Sequence, residues 1–173
     1  VMVPRGDLGV EMPPETVPVQ QKRLIAMCNA LGKPVITATQ MLRSMVDAPR
    51  PTRAEAADVA NAVLDGTDAV MLSEETASGN HPVGALRYMA RIVTSAEEAF
   101  PHDRYLGLKP GPGVSESVAH AACVLADHLG AAAVVAPTSS GRTAAHVSRF
   151  RPRQPVIAVS PNETTVRRST LYW

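Results

Sequence analysis

The sequence contains few aromatic residues, few cysteines and little net charge, and each shortage excludes a class of protein. Its 173 residues include one Trp, three Tyr, two Phe and two Cys, and the net charge is +1. Two cysteines cannot build the disulfide framework of a small secreted domain. The weak charge argues against nucleic acid as a partner. Apolar runs are too short to cross a membrane, and no signal peptide is visible.

The sequence is rich in small apolar residues, mainly Ala and Val. It is 45% hydrophobic and 19% charged, which is enough apolar material for a buried core. This composition suits buried parallel strands and closely packed helices. Cys28 and Cys123 lie inside apolar helical patterns, so we expect both thiols to be buried and reduced. A cytoplasmic location fits that expectation.

Short buried strands alternate with helices along the first hundred residues. The strands are predicted at VMVP, at residues 35–39 and at DAVMLS, and Asp7, Thr39 and Ser73 lie at their ends. The repeat between these residues is 32 and then 34 positions. Such βαβ units predict parallel strands in an open doubly wound sheet or a (β/α) barrel. Three units cannot close an eight-stranded barrel, so the sheet is either open or part of something larger.

A second α/β segment follows a stretch rich in Pro and Gly. We predict a first domain over residues 1–100, a linker over 101–113 and a second domain with a parallel sheet over 114–173. In the second domain the strands are predicted at AAAVVAP and PVIAVS.

The spacing of apolar residues predicts which side of each helix faces the core. A Thr-x-x-Glu capping box, Thr52 and Glu55, predicts the start of one of these helices. The residues predicted to face inward are Leu24, Ile25, Cys28 and Leu31 in the first long helix, Val83, Leu86, Met89, Ala90 and Val93 in the third, and Val118, Ala122, Leu125 and Leu129 in the helix of the second domain.

Polar residues follow each of the first three strands. The carboxyl ends of parallel strands share one edge of a sheet, so Asp7, Thr39 and Ser73 should approach one another. A carboxylate, hydroxyls and Gly6, whose N–H can meet a ligand closely, favour Mg²⁺ with a phosphorylated or carboxylated substrate. The alternative for each residue alone is a turn, capping or packing role. The adjacent acids Glu74 and Glu75 are expected to be solvated.

Two further motifs allow alternative interpretations. The triplet Arg5-Gly6-Asp7 is also a cell-adhesion motif. In the second domain, PTSSGRTA places hydroxyls and N–H groups at a helix start beside Arg142, which favours a phosphate site. The alternative there is an ordinary Ser-rich helix cap.

Four segments resemble pyruvate kinase in order and spacing. They are VMVPRGDLGVEMP, GKPVITATQMLRSM, PRPTRAEAADVANAVLDGTDAVMLSEETASG and HVSRFRPRQPVIAVS. The resemblance implies the C-terminal portion of a TIM barrel, its last three βα units, followed by part of a C-terminal regulatory α/β domain. It also implies glycolytic phosphoryl transfer from phosphoenolpyruvate to ADP, giving pyruvate and ATP.

The resemblance also implies residue roles. Asp7 corresponds to a ligand of Mg²⁺ or Mn²⁺, and Gly6, Asp7, Thr39 and Ser73 correspond to substrate-binding residues. Glu74 stands where many members of the family carry Gly. In the family, one loop holds the phosphate of a sugar-phosphate or nucleotide effector. The residues that correspond to this loop are Thr138, Ser139, Ser140, Gly141, Arg142 and Thr143.

Other parts of the family's site are expected upstream of Val1. They include the catalytic Lys, a second acidic Mg²⁺ ligand and the K⁺ ligands, so we expect this chain to be inactive alone. The resemblance further implies a cytoplasmic homotetramer with no nucleic-acid or membrane partner. The alternatives are a non-catalytic regulatory, structural or adhesive fragment, and a related metal-dependent barrel lyase acting on phosphoenolpyruvate or pyruvate.

Overall fold

The chain divides into two compact units. A computed structural model describes residues 1–173 and separates Val1–Phe100 from Pro101–Trp173. Each unit has its own hydrophobic core and is described by itself.

A three-stranded parallel sheet forms the centre of the first unit. The strands are β1 (Met2–Pro4), β2 (Ile36–Ala38) and β3 (Ala69–Met71), in the order β1-β2-β3. The register pairs Pro4 with Ala38 and Ala38 with Met71, so all three strands end at one level. This arrangement confirms the predicted parallel α/β architecture and is consistent with part of a barrel.

Five helices accompany this sheet, together with 3₁₀ turns at Pro14–Thr16 and Arg43–Val46. The helices are α1 (Arg5–Glu11), α2 (Val17–Ala30), α3 (Arg53–Leu64), α4 (Glu74–Ala77) and α5 (Pro82–Glu97). Helix α3 begins at the predicted capping box. The Glu55 N–H donates to Thr52 Oγ1 at 3.2 Å, and the Thr52 N–H donates back to Glu55 Oε2 at 2.8 Å. This reciprocal pair satisfies backbone donors that have no helical acceptor.

The predicted inward faces of α2 and α5 are only partly correct. Ile25, Cys28 and Met89 are buried, but Leu31 is 68% exposed because it lies at the C-cap, where the chain turns at Gly32. In α5, Val83 and Leu86 are exposed and the small residues Ala85 and Ala96 are buried instead. Small side chains allow neighbouring backbones to approach closely, and this outweighs the greater hydrophobicity of Val and Leu.

The second unit contains a two-stranded parallel sheet. Its strands are β4 (Val134–Pro137) and β5 (Val156–Val159), which confirms the predicted parallel pairing. Its helices are α6 (His102–Leu106), α7 (Val114–Leu129), α8 (Arg142–Ser148) and α9 (Glu163–Ser169).

Helix α7 packs through a face that differs from the predicted one. Ala119, Cys123 and Ala126 are buried, and they share a core with residues of β4 and α8. The larger residues predicted to face inward, Val118, Leu125 and Leu129, are between 56% and 68% exposed. The prediction for these three residues is therefore wrong.

The stretch predicted as a linker contains secondary structure. Helix α6 lies within residues 101–113, and its Leu106 joins the core of the second unit. The Gly111 N–H also donates to Glu116 Oε2 in α7 at 2.7 Å. These contacts group the stretch with the second unit, while the domain boundaries themselves stay a prediction.

Both cysteines are free and buried, as the sequence predicted. Across the whole chain, no helix combines the length and the apolar character needed to span a bilayer.

Candidate functional site

The first candidate site lies where the strands of the first unit end. Because Pro4, Ala38 and Met71 are in register, the chain leaves all three strands at one edge of the sheet. The residues that follow include Gly6, Thr39 and Ser73. In parallel α/β proteins this edge is where binding sites are built.

Gly6 and Thr39 meet at this edge although they are 33 positions apart. The Gly6 N–H donates to Thr39 Oγ1 at 2.9 Å. Thr39 has φ 70° and the next residue, Gln40, has φ 55°. Left-handed backbone is strained for a β-branched residue, and such strain concentrates at functional sites. The structure therefore brings two of the predicted site residues together, and Thr39 has a strained backbone conformation there.

Arg5 is committed to contacts inside the unit. Its side chain is only 9% exposed and pairs with Asp58 on α3 at 2.5 Å. Its Nη2 also donates to the carbonyl oxygens of Thr39 and Gln40, at 2.8 and 3.0 Å. A buried guanidinium with these partners is not available for an adhesion receptor.

Asp7 has a different environment from Arg5. It is exposed and lies in the first turn of α1. A carboxylate oxygen there is a suitable ligand for a hard divalent cation. Nowhere in the chain do three or more His, Cys, Asp or Glu side chains form a group that could hold a metal ion.

Ser73 lies beside a carboxylate that the sequence analysis interpreted wrongly. Glu75 is 1% exposed, and it accepts hydrogen bonds from the N–H groups of Ser73 at 2.7 Å and Leu42 at 3.0 Å. It thereby joins the chain after β3 to the chain after β2. Ser73 Oγ is buried and has no hydrogen-bond partner. Such an atom has hydrogen-bonding capacity available for a ligand or water.

The second candidate site is the loop of residues 138–143 in the second unit. Thr138 Oγ1 accepts the Gly141 N–H at 2.9 Å, and Gly141 has φ 87°. Next to the loop is a cavity of about 730 Å³. Its polar lining consists of Ser115, Thr138, Ser139, Ser140, Arg142, Thr143 and His146.

Comparison with known proteins assigns both units to one family. The family model "Pyruvate kinase, barrel domain" matches residues 1–86, and "Pyruvate kinase, alpha/beta domain" matches residues 116–173. Proteins named pyruvate kinase from Clostridium acetobutylicum, Bacillus licheniformis and Geobacillus stearothermophilus are 49%, 52% and 53% identical to the chain, over 99–100% of its length. This chain belongs to the pyruvate kinase family.

The match covers only part of the family's length. The chain spans 37% of the Clostridium protein and 30% of each of the other two. Gly6, Asp7, Thr39 and Ser73 fall within the pyruvate kinase barrel match, and the loop of residues 138–143 falls within the alpha/beta match.

Two contacts of this pyruvate kinase segment differ from, or go beyond, what its sequence predicts. Glu75 was expected to be solvated, but the backbone donors of Leu42 and Ser73 hold it in the interior. The pairing of Arg5 with Asp58 joins residues 53 positions apart. No local pattern reveals that pairing, although a lone Asp on the apolar side of a helix would have been a useful signal.

Proposed function

We propose that this chain is part of an enzyme that transfers the phosphoryl group of phosphoenolpyruvate to ADP, giving pyruvate and ATP. The observation that carries the proposal is the contact between Gly6 and Thr39, which closes the edge between β1 and β2 within the matched barrel segment. Relatives about 50% identical over the full chain support the same activity. The activity is that of the whole protein, of which this chain supplies one side of the site.

The residues at the strand ends are proposed to hold phosphoenolpyruvate. Gly6 and Asp7 lie in the first turn of α1, where backbone N–H groups lack helical acceptors. The Gly6 N–H is already bonded to Thr39 Oγ1, so the Asp7 N–H is the donor proposed to face the anion. Thr39 Oγ1 accepts the Gly6 N–H, so its own proton can be donated to a substrate oxygen. Ser73 Oγ could donate in the same way, directly or through water.

Asp7 is proposed to contribute one oxygen to a bound Mg²⁺ or Mn²⁺. Its exposed carboxylate fits a hard cation. The other ligands would come from the substrate and from residues outside this chain, and so would the K⁺ ligands and the catalytic Lys. The divalent cation neutralises negative charge on the transferring phosphoryl group.

The loop of residues 138–143 is proposed to hold the phosphate of a sugar-phosphate or nucleotide effector. Ser139, Ser140, Arg142 and Thr143 are exposed and line the same cavity, so hydroxyls and a guanidinium are available to one anion. We also propose that the intact protein is a homotetramer and acts in the cytoplasm, as the family and the two free thiols suggest.

The proposal is tested with the intact protein in a coupled assay for pyruvate. Replacing Thr39 by Val keeps the shape and removes the hydroxyl, so kcat/KM should fall about a hundredfold. The matched control is Thr37→Val in β2, the strand that precedes Thr39. The Thr37 hydroxyl is buried and donates to Thr67 Oγ1 at 3.0 Å, away from the strand ends. The control should lower stability and leave kcat/KM nearly unchanged. An intact protein that forms no pyruvate, or equal losses in the two variants, would contradict the proposal.

A further inference from the structure

The Arg5 side chain connects three successive βα units of the first domain. Its Nη1 donates to Asp58 Oδ2 on α3 at 2.5 Å and to Gln21 Oε1 on α2 at 3.4 Å. Its Nε and Nη2 donate to the Thr39 carbonyl at 3.2 and 2.8 Å, and Nη2 also donates to the Gln40 carbonyl. One guanidinium thus binds two helices and the backbone that leaves β2.

The two carbonyl groups bound by Arg5 belong to the two strained residues. Thr39 and Gln40 both have positive φ, which non-glycine residues rarely adopt in succession. Such a conformation persists only where the surroundings determine it. The Arg5 hydrogen bonds stabilise this conformation, because relaxation of either residue to negative φ would turn its carbonyl away from the guanidinium.

The orientation of Thr39 Oγ1 depends on this backbone. Its bond with the Gly6 N–H is set by the rotation of the Thr39 backbone, and that rotation is fixed through the Thr39 carbonyl. Asp58 in turn fixes the guanidinium, since a planar fork held on one side by a carboxylate presents its other donors in one direction.

We propose that Asp58 is a positioning residue, which acts through Arg5 to hold Thr39 in the conformation that binds substrate. This inference rests on the proposed function of Thr39 and extends it to a residue that touches no substrate. The coupling passes through named contacts: Asp58 to Arg5, Arg5 to the Thr39 carbonyl, and Thr39 Oγ1 to Gly6.

A second ion pair, between α2 and the end of α3, provides a control. Lys22 on α2 pairs with Asp65, the C-cap residue of α3, also at 2.5 Å. Lys22 and Asp65 thus connect α2 and α3, the helices that carry Gln21 and Asp58. This ion pair does not include Arg5. Asp65 also accepts a hydrogen bond from Gln21 Nε2 at 3.3 Å. Asp65→Asn therefore removes one charge between α2 and α3 and leaves the direct pair of Arg5 with Asp58 in place.

The test compares Asp58→Asn with Asp65→Asn in the intact enzyme. Because the substrate loses a contact in both the ground state and the transition state, Asp58→Asn should raise the KM for phosphoenolpyruvate about tenfold or more. The same variant should change kcat less than KM. Asp65→Asn should leave both KM and kcat within about twofold of wild type. Its melting temperature should change by about as much as that of Asp58→Asn.

A chemical rescue separates positioning from loss of fold. A cavity of about 310 Å³, lined by Arg5, Gln21 and Asp58, gives a small cation access to the place of the guanidinium. In Arg5→Ala, millimolar guanidinium should therefore lower the raised KM part of the way back to the wild-type value. In the double variant with Asp58→Asn, guanidinium should leave the KM unchanged.

Three outcomes are decisive. A raised KM in Asp58→Asn alone, with rescue that needs Asp58, supports the inference. Equal KM changes in Asp58→Asn and Asp65→Asn, or an unchanged KM in both, overturn it. An intact wild-type protein that forms no pyruvate instead refutes the proposed function, so the two failures are distinguishable.

Discussion

Arg5, Gly6 and Asp7 are adjacent in the chain but have three different environments. The Arg5 side chain is buried against Asp58, the Gly6 N–H donates to Thr39, and Asp7 is exposed on α1. A cell-adhesion triplet would need the Arg and Asp side chains to be accessible together. The structure divides the triplet into one structural residue and two residues of the proposed site.

Glu75 shows what the sequence could not predict at the scale of one residue. Two adjacent acids after a strand are usually solvated, and Glu74 is indeed exposed and paired with Arg43 at 3.1 Å. Glu75 is buried because the backbone donors of Leu42 and Ser73 converge on it. A buried carboxylate is stabilised by such donors. Their convergence depends on the position of two strands, which no local pattern contains.

Cys123 provides a test of the core of the second unit. It is fully buried, and burial raises the pKa of its thiol to about 11. At pH 8 about one thiol in a thousand would be ionised, and the thiolate is the reactive form. We expect Cys123 to resist iodoacetamide at pH 8 in the native protein. In about 8 M urea it should react within minutes, at a rate similar to that of a free thiol. Mass spectrometry of the peptide that contains Cys123 measures both rates. Rapid native alkylation would contradict the buried position.

At the scale of elements, the sequence predicted where helices and strands lie better than which face is buried. The capping box at Thr52 and the parallel strands were predicted from local signals and from the order of elements. The inward face of α7 was not. Ala119, Cys123 and Ala126 are buried while Leu125 is exposed. Periodicity ranks residues by hydrophobicity and contains no information about which face of α7 meets β4 and α8.

Glu55 makes the start of α3 sensitive to acid. Burial alone would raise the pKa of its carboxyl, but hydrogen bonds from Ser44 and Thr52 outweigh burial and lower the pKa below its usual value. A lowered pKa in the folded state gives stability that is present above the unfolded pKa, about 4.3 for Glu, and is lost as the pH falls through the folded value.

The measurement is the urea midpoint of wild type and of Glu55→Gln between pH 7 and pH 3. We expect wild type to be more stable at neutral pH and the difference to shrink below about pH 4.3. Glu15→Gln, in the exposed 3₁₀ turn before α2, is the control. It keeps Glu55, so its urea midpoint should follow that of wild type across the same pH range. A difference between wild type and Glu55→Gln that is constant down to pH 3 would contradict this assignment.

At the scale of the whole molecule, the order of elements predicted more than any single motif. Three βα units of nearly equal length predicted a parallel sheet whose strands end together, and the register of β1, β2 and β3 confirms it. Gly6 and Thr39 meet beyond the strand ends, while the roles of these residues in a site stay a prediction. The contacts of Arg5 and Asp58 hold these two residues in place. They depend on how the βα segments of the first unit pack together, which one sequence does not reveal.

We propose that the edge formed by these strands binds a metal and a phosphorylated substrate. The most direct test is a Mg²⁺ titration of the intact enzyme with Asp7→Asn, using Glu11→Gln as the control because both acids are exposed on α1. We expect Asp7→Asn to lower kcat/KM about a thousandfold, or about 4 kcal/mol, and to raise the Mg²⁺ concentration required. Glu11→Gln should behave as wild type. An Asp7→Asn enzyme with a near-normal rate and an unchanged Mg²⁺ requirement would show that Asp7 does not bind the metal.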